Sequence, residues 1–136
     1  MKLLGIDYGE KKIGLAIGEK GVGLAVPYKS ILNQSPSQVL KELKKIIKEE
    51  EIKKIVVGVP LALKEGEESP FLRKVESFIN YLKRKLPQKI EKEDERFTTK
   101  EIKKVSQRYR KIRIDIDAAS ATLILQKFLD KNKVIK

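Results

Sequence analysis

The sequence predicts an α/β fold: a mixed five-stranded sheet, with three antiparallel strands followed by parallel strands, and helices on both faces. Three strand-like segments joined by short turns open the chain, which is typical of an antiparallel meander. Helical and strand-like segments then alternate, as they do in α/β units. The fourth strand has an apolar stretch at residues 55–59 that shows no alternation. Such a strand is typically buried on both faces, in the middle of a parallel sheet.

The first three predicted strands each consist of apolar residues bounded by turn residues. They comprise residues 2–7, 12–18 and 23–31. In the second strand, isoleucine and leucine alternate with glycine and alanine, which is the period of a strand. Gly9 supplies the turn before it. Pro27 places the third strand at the edge of the sheet, because proline cannot donate a hydrogen bond to a neighbouring strand.

The predicted helices begin at residues suited to cap them. Ser35 and Ser69 each precede a proline, which is favoured at the first helical position. Thr98 stands three residues before Glu101, in the pattern of a capping box. The last helix is predicted from about residue 116 to 129. A weak fifth strand is predicted at residues 88–93, a basic loop at 108–113 and a frayed tail at 131–136, all within a single domain that covers residues 1–136.

The composition limits the chemistry that the chain can perform. There is no cysteine and no histidine among the 136 residues. Thiolate nucleophiles, serine–histidine triads and histidine or cysteine zinc sites are therefore excluded. Any bound metal must use oxygen ligands, which favours Mg²⁺ or Mn²⁺. No apolar stretch reaches the roughly 20 residues that span a bilayer, and no signal peptide is recognisable, so a cytoplasmic location is expected.

The net charge of +12, from 31 basic and 19 acidic residues, indicates a polyanionic partner. Nucleic acid is the first expectation and a membrane surface the second. A lysine-rich, solvated surface without any nucleic-acid role is the alternative, since such surfaces are common in thermophile proteins.

Acidic residues stand at three places where strand ends or a helix start can bring them together. They are Asp7 after an apolar strand, the pair Asp94-Glu95 after the fifth strand, and Asp115 with Asp117 at the last helix. Ligands of parallel sheets bind beyond the carboxyl ends of the strands, where Asp7 and Asp94-Glu95 would lie. Each acid alone could instead cap a turn or a helix. As a set, they favour a cation site, with Asp115 as the helix cap and Asp117 facing the site.

The motifs GIDYG-x-KKIG-x-A, VVG-x-P, DERFTT and IDAASA-x-x-LQ-x-L occur in this order along the chain. Together they resemble the YqgF/RuvX family of pre-16S rRNA nucleases and Holliday-junction-resolvase-like proteins, in the ribonuclease H-like superfamily. The resemblance covers about residues 2–129 and implies a ribonuclease H-like fold. One stretch departs from the family pattern: after GVP the sequence reads LALKEGEESP, with Ala62 where the family has asparagine.

The resemblance implies a metal-dependent nuclease. It assigns the catalytic and metal-binding roles to Asp7, Glu95 and Asp117, with Asp94 in reserve, because adjacent strand residues point to opposite faces. The implied chemistry is two-metal hydrolysis of a phosphodiester with Mg²⁺ or Mn²⁺. Nine residues could meet the nucleic-acid backbone: Lys11, Lys12, Arg96, Thr98, Thr99, Arg108, Arg110, Lys111 and Arg113.

The substrate that we expect is RNA, in the 5′-end processing of precursor 16S rRNA during ribosome biogenesis. The expected partner is therefore a ribosome precursor, and no membrane is involved. The protein is expected to be a monomer, because the apolar stripe of each predicted helix is used by the sheet. Three alternatives stay open: a Holliday junction resolvase, a non-catalytic RNA-binding factor, and an actin-like ATPase, against which the short chain argues.

Overall fold

The computed structural model describes residues 1–60 and 69–132. The strands are β1 (Lys2–Asp7), β2 (Lys12–Glu19), β3 (Leu24–Leu32), β4 (Ile52–Pro60) and β5 (Lys89–Glu95). The helices are α1 (Pro36–Glu50), α2 (Pro70–Lys85), α3 (Thr99–Arg108) and α4 (Ile116–Lys131), and a 3-10 turn at Arg110–Ile112 separates α3 from α4. The predicted α/β fold is confirmed.

The five strands form one mixed sheet in the order β3-β2-β1-β4-β5. Strands β1, β2 and β3 pair antiparallel, whereas β1 and β5 each pair parallel with β4. Strand β3, which contains Pro27, is at the edge, as the sequence predicts. Asp7 is the last residue of β1 and Glu95 is the last residue of β5. Because both strands run parallel to β4, which lies between them, the two acids lie at the same end of the sheet.

Each face of the sheet is covered by helices that bury its apolar side chains. Leu4 and Ile6 of β1, with Ile55, Val57 and Val59 of β4, pack with α1 and α2. Leu3 and Val56 pack on the other face against Ile124 and Leu125 of α4, both fully buried. Burying one such side chain contributes about 1.5–3 kcal/mol, so α4 is firmly attached to the sheet. Helix α3 packs on α4 rather than on the sheet.

Local capping explains where the helices begin. The side chains of Ser35, Ser69 and Thr98 each accept a hydrogen bond from the backbone amide three residues on, at 3.3, 3.0 and 3.1 Å. Asp115 caps α4 in the same way, with its Oδ1 accepting from Ala118 N at 2.9 Å. The predicted caps are therefore confirmed. An N-cap of this kind typically contributes about 1 kcal/mol.

Three predicted boundaries are wrong. Strand β5 continues to Glu95 instead of ending at residue 93, because its ladder with β4 runs as far as the pair Pro60–Glu95. Residues 108–113 are not a plain loop: Arg108 ends α3 and Arg110–Ile112 form the 3-10 turn. Lys131 is helical, although the frayed tail was predicted to begin there. The departing stretch at residues 61–68 and the tail residues 133–136 lie outside the described residues.

Helix α4 packs closely on the sheet because the strands have glycines where they contact the helix. A methyl group at Gly14 of β2 would overlap the carbonyl of Asp117, and one at Gly58 of β4 would overlap the side chain of Ile124. A larger residue at Gly14 would displace the backbone of the helix, and one at Gly58 would displace at least the side chain of Ile124. These two glycines set the distance between α4 and the strand ends.

The far half of α4 is joined to β5 by a buried acid. Glu93 is only 4% exposed. Its Oε2 lies 2.9 Å from Lys131 Nζ and 3.8 Å from Lys127 Nζ, both on α4. Burial of a carboxylate is tolerated here because two cations compensate it. Within the described residues, no helix is long and apolar enough to cross a membrane.

Candidate active site

Asp7 is the last residue of β1, at the centre of the sheet. Its side chain faces α4, because Leu3 and Gly5, which share its face of the strand, both contact that helix. Strand β1 is paired on both sides, with β2 and with β4. The carboxylate therefore extends from the most rigid part of the sheet.

Glu95 reaches the same face from the end of β5. It lies opposite Pro60 in the ladder with β4. Its Oε2 is 3.4 Å from the point where a β-carbon on Gly58 would lie, and Gly58 itself contacts α4. Glu95 thus lies beneath α4, on the same side as Asp7, and the two carboxyl groups share a hydrogen bond.

Asp117 lies in the first turn of α4, the helix that Asp7 and Glu95 face. Gly14 of β2 is the ladder partner of Asp7, and the backbone of Asp117 lies directly against Gly14. The close contact between helix and strand therefore brings Asp117 to the end of β1. Its charge is near enough to influence the pKa of Asp7.

The electrostatics of these carboxyl groups favour retention of a proton. Burial, followed by the charge of Glu95, the hydrogen bond with Glu95 and the charge of Asp117, raises the pKa of Asp7 to about 9. Burial also raises the pKa of Glu95, although its hydrogen bond with Asp7 opposes the rise. Asp7 is therefore the member of the pair that holds the shared proton, and it donates the hydrogen bond to Glu95.

Asp117 has a milder environment. Burial, together with the charge of Asp115, raises its pKa, and the charge of Lys12 lowers it in part. The three groups thus form a half-buried, proton-sharing pair and a third carboxyl group whose pKa is less perturbed.

Asp94 and Asp115 have other roles. Asp94 alternates with Glu95 along β5, so it faces the α1–α2 side, away from Asp7. Its backbone is engaged, since its amide donates to Glu93 Oε2 at 3.0 Å and its carbonyl accepts from Lys127. Asp115 is the cap of α4 and also accepts from Ser30 Oγ at 2.6 Å. The assignment of Asp115 as a cap is therefore confirmed.

The donor set fits a hard divalent cation. Within the described residues, no group of three carboxylates already has the arrangement of a metal site. However, Asp7 and Glu95 are two half-buried carboxyl groups that hold a proton between them, and Asp117 lies nearby. Oxygen-only ligands of this kind suit Mg²⁺ or Mn²⁺, which retain water and substrate oxygens as their other ligands. A cation can replace the shared proton and compensate the same negative charges.

The family model described as "RuvX: Holliday junction resolvase" matches residues 1–131. This chain belongs to the RuvX family. The chain is 39% identical over 134 residues to a protein of Sulfurihydrogenibium sp., a match that covers 96% of this chain and 90% of the relative. It is 34% identical over 141 residues to a protein of Halothermothrix orenii, covering 98% and 99%. Both relatives are named "Putative pre-16S rRNA nuclease".

Solved structures share the fold at low sequence identity. The RuvC structure of Thermus thermophilus has a TM-score of 0.64 and 10% identity, covering 96% of this chain and 95% of that one. The Fowlpox virus resolvase, in complex with Holliday junction DNA, has a TM-score of 0.58 and 14% identity, covering 96% and 98%. These likenesses confirm the ribonuclease H-like fold that the resemblance implies. Family and fold together support a nuclease, a hydrolase of phosphodiester bonds.

The predicted nucleic-acid-binding residues of this RuvX-family chain lie in three parts of the structure. Lys11 and Lys12 are in and after the turn between β1 and β2, and Lys12 Nζ is 3.9 Å from Asp115 Oδ2. Arg96 follows β5 and is exposed. The remaining residues lie at the start of α3, at its end and in the turn beyond it: Thr98, Thr99, Arg108, Arg110, Lys111 and Arg113. The hydroxyl of Thr98 is engaged as the helix cap.

Two supporting residues were missed in the sequence. Ser30 bonds the cap of α4 from β3, and Glu93 joins α4 to β5. Ser30 gives no signal on its own, since an isolated serine in a strand is common. The sequence gives only an indirect signal for the role of Glu93. Lys127 and Lys131 are four residues apart, so they lie on one face of α4 and could both reach the same carboxylate.

Proposed function

We propose that this RuvX-family chain is a divalent-metal-dependent nuclease that acts in the cytoplasm on precursor 16S rRNA, in 5′-end processing. The observation that supports the chemistry is the half-buried pair Asp7 and Glu95 at the carboxyl ends of β1 and β5, with Asp117 opposite them on α4. Such a group of acids is unfavourable for stability alone, because burial raises the pKa of each member. A catalytic role explains why the fold retains it.

Asp7, Glu95 and Asp117 would hold Mg²⁺ or Mn²⁺, which supplies an activated water and stabilises the leaving oxygen in a two-metal hydrolysis. The residues of the chain position the reaction. The central strand fixes Asp7, and Glu95 is fixed by the ladder between β4 and β5. The cap and glycine contacts of α4 fix Asp117.

The proton on Asp7 gives these residues a second role. Its raised pKa reduces the negative charge of the site while the protein is folded and holds no metal. Asp7 must release this proton before it can act as a ligand. We therefore propose that loading the site releases protons and that activity increases as the pH rises toward the pKa of Asp7.

The choice of RNA as substrate is supported by the names of the curated relatives, which cover nearly the whole chain. Resolution of four-way DNA junctions is the second candidate. The description of the family model favours it, since that description names a Holliday junction resolvase. The two candidates differ in the assembly they need, because a junction presents two equivalent strands and a resolvase meets them with a two-fold dimer.

The test compares cleavage of precursor 16S rRNA and of a four-way DNA junction at equal protein concentration. Each reaction is run with Mg²⁺, with Mn²⁺ and with a chelator. We expect metal-dependent cleavage of the RNA near its 5′ end, and loss of that cleavage in Asp7→Asn. Asp94→Asn is the matched control, since it removes one carboxylate of the same segment that faces away from Asp7. Symmetric nicking of the junction, with the RNA left intact, would replace this proposal with resolution.

A further inference from the structure

Half of the net charge of the protein lies in one short segment. Residues 99–113 contain seven basic residues and one acidic residue, a net charge of +6, whereas the whole chain carries +12. This segment comprises α3, the 3-10 turn and Arg113. Its basic residues are all exposed. Among the described residues, none of them forms an ion pair with a carboxylate, in contrast to Lys54, Lys74 and Lys131.

The segment is grooved as well as basic. Two surface grooves of about 440 and 380 Å³ adjoin at Gln107. Six cations line them, three on α3 and three at its end and in the turn beyond: Lys100, Lys103, Lys104, Arg108, Arg110 and Lys111. Among residues 1–60 and 69–132, no acidic residue lines either groove. A concave surface lined by one sign of charge concentrates a polyanion more strongly than scattered surface lysines do.

Apolar side chains share the second groove with the cations. Tyr109, which is half-buried, and Ile112, which is 63% exposed, both line it. An exposed isoleucine between arginines and lysines has no role in the core. An aromatic ring among cations is the combination that holds unpaired bases of single-stranded nucleic acid, because every base can stack on it.

The position of the segment connects it to the candidate active site at both ends. Glu95, the last residue of β5, is three residues before Thr98, which caps α3. Ile112 is three residues before Asp115, which caps α4, and Asp117 lies in the first turn of that helix. Helix α3 also packs on α4. The grooves therefore lie in the segment of the chain that joins Glu95 to Asp117.

We propose that α3 and the following 3-10 turn form the docking track for a single-stranded part of the substrate, with one base stacked on Tyr109. The proposal rests on the proposed nuclease function for its substrate. It adds that the enzyme recognises single-stranded rather than duplex nucleic acid next to the bond that it cuts. The six cations hold the phosphates, and Tyr109 with Ile112 supports a base.

The first experiment measures binding of a single-stranded uridine 12-mer as a function of salt, with a chelator present so that no cleavage occurs. The test variant carries Lys100→Gln, Lys103→Gln and Lys104→Gln. The matched control carries Lys41→Gln, Lys44→Gln and Lys45→Gln on α1. These are three exposed lysines of a helix on the opposite side of the sheet, and the control removes the same charge. Glutamine preserves helix propensity in both variants.

We expect the α3 variant to bind at least about tenfold more weakly at 50 mM salt. Its log–log salt slope should become shallower by up to about 2, since each neutralised phosphate of a single strand contributes about 0.7. The α1 control should change affinity by less than about twofold. Equal losses in the two variants would show that only total charge matters, and an unchanged α3 variant would place the binding surface elsewhere. Either result would contradict the proposal that α3 and the 3-10 turn bind the substrate.

The second experiment tests the preference for single strands. Tyr109→Leu keeps an apolar side chain but removes the ring, and it should weaken binding of the uridine 12-mer at least about fivefold. Binding of a 12-base-pair RNA duplex should be unchanged. Equal effects on both ligands, or none on either, would overturn the single-strand assignment. Because these assays contain no metal, they report on the track even if the chain proves inactive as a nuclease.

Discussion

Replacing Asp7 by asparagine should make the protein more stable and inactive. The asparagine side chain has nearly the same shape and can still donate a hydrogen bond to Glu95. It carries no charge, however, so its amide oxygen is a much weaker ligand for a divalent cation than a carboxylate is. We expect a loss of cleavage of more than about 100-fold, as for other groups that stabilise charge at a reacting centre.

The gain in stability follows from the pKa of Asp7, which is raised from 3.8 to about 9. Between these two values the folded protein binds a proton that the unfolded chain has released, so stability falls as the pH rises. Each pH unit in this window corresponds to about 1.4 kcal/mol. At pH 7 the free energy of unfolding of the wild type is therefore up to about 4 kcal/mol lower than it is near pH 4. The asparagine variant has no such loss of stability. The difference between the two proteins should be smallest near pH 4 and should increase up to about pH 9.

The assay is urea unfolding followed by circular dichroism at pH 5, 6, 7 and 8, with a chelator present. Cleavage of precursor 16S rRNA is measured on the same preparations with Mg²⁺ or Mn²⁺. Asp94→Asn serves as the control, and its stability relative to the wild type should not show the increase with pH. A divalent cation should stabilise the wild type in proportion to its occupancy, and should stabilise Asp7→Asn much less.

Two results would refute this reasoning. Wild-type turnover by a fully folded Asp7→Asn protein would remove Asp7 from the active site. A stability difference that is the same at pH 5 and pH 8 would show that Asp7 is not held protonated by its neighbours.

Three further predictions concern other parts of the molecule. Glu95→Gln should abolish cleavage, while Asp94→Asn keeps it, and the opposite ranking of the two cleavage rates would show that Asp94 is the functional acid. Glu93→Gln should lower the free energy of unfolding by about 1–2 kcal/mol, because charge-assisted hydrogen bonds to Lys131 are lost; a melting temperature equal to the wild type would show that this pair contributes nothing. The protein should be a monomer by light scattering at physiological salt, because like charges oppose self-association at +12; a stable dimer would instead indicate pairing through the apolar side chains exposed on edge strand β3.

The elements that could be predicted from the sequence are those determined by local physical chemistry. The alternation in β2, the apolar run of β4 and the caps of the helices each depend on neighbouring residues alone. Strand β5 is different, because its sequence KIEKEDE has one apolar residue, Ile90. Its end at Glu95 is determined by hydrogen bonds to β4, which no local pattern reveals.

The candidate site could be predicted in part. Asp7, Glu95 and Asp117 were named from motifs, and the structure places them on one face of the sheet. The bond between Asp7 and Glu95 depends on the register of β4 against both neighbouring strands, which is a tertiary property. For the same reason, the sequence EDE could not reveal that Glu93 is buried with two lysines while Asp94 faces the opposite side. The monomer prediction considered only helices, and so it missed the apolar residues exposed on β3.

The glycines beneath α4 have a consequence for how this enzyme could be regulated. Because Ile124 fills the space above Gly58 and the backbone of Asp117 lies against Gly14, α4 is packed closely against the sheet. An effector that acted by shifting this helix would have to separate it from the sheet and expose its apolar face. Regulation of activity through the segment between β5 and α4 would leave the packing of α4 on the sheet intact. That segment can change its sequence or its bound partner while the carboxyl groups stay in place, so related enzymes could acquire new substrates there without rebuilding the catalytic centre.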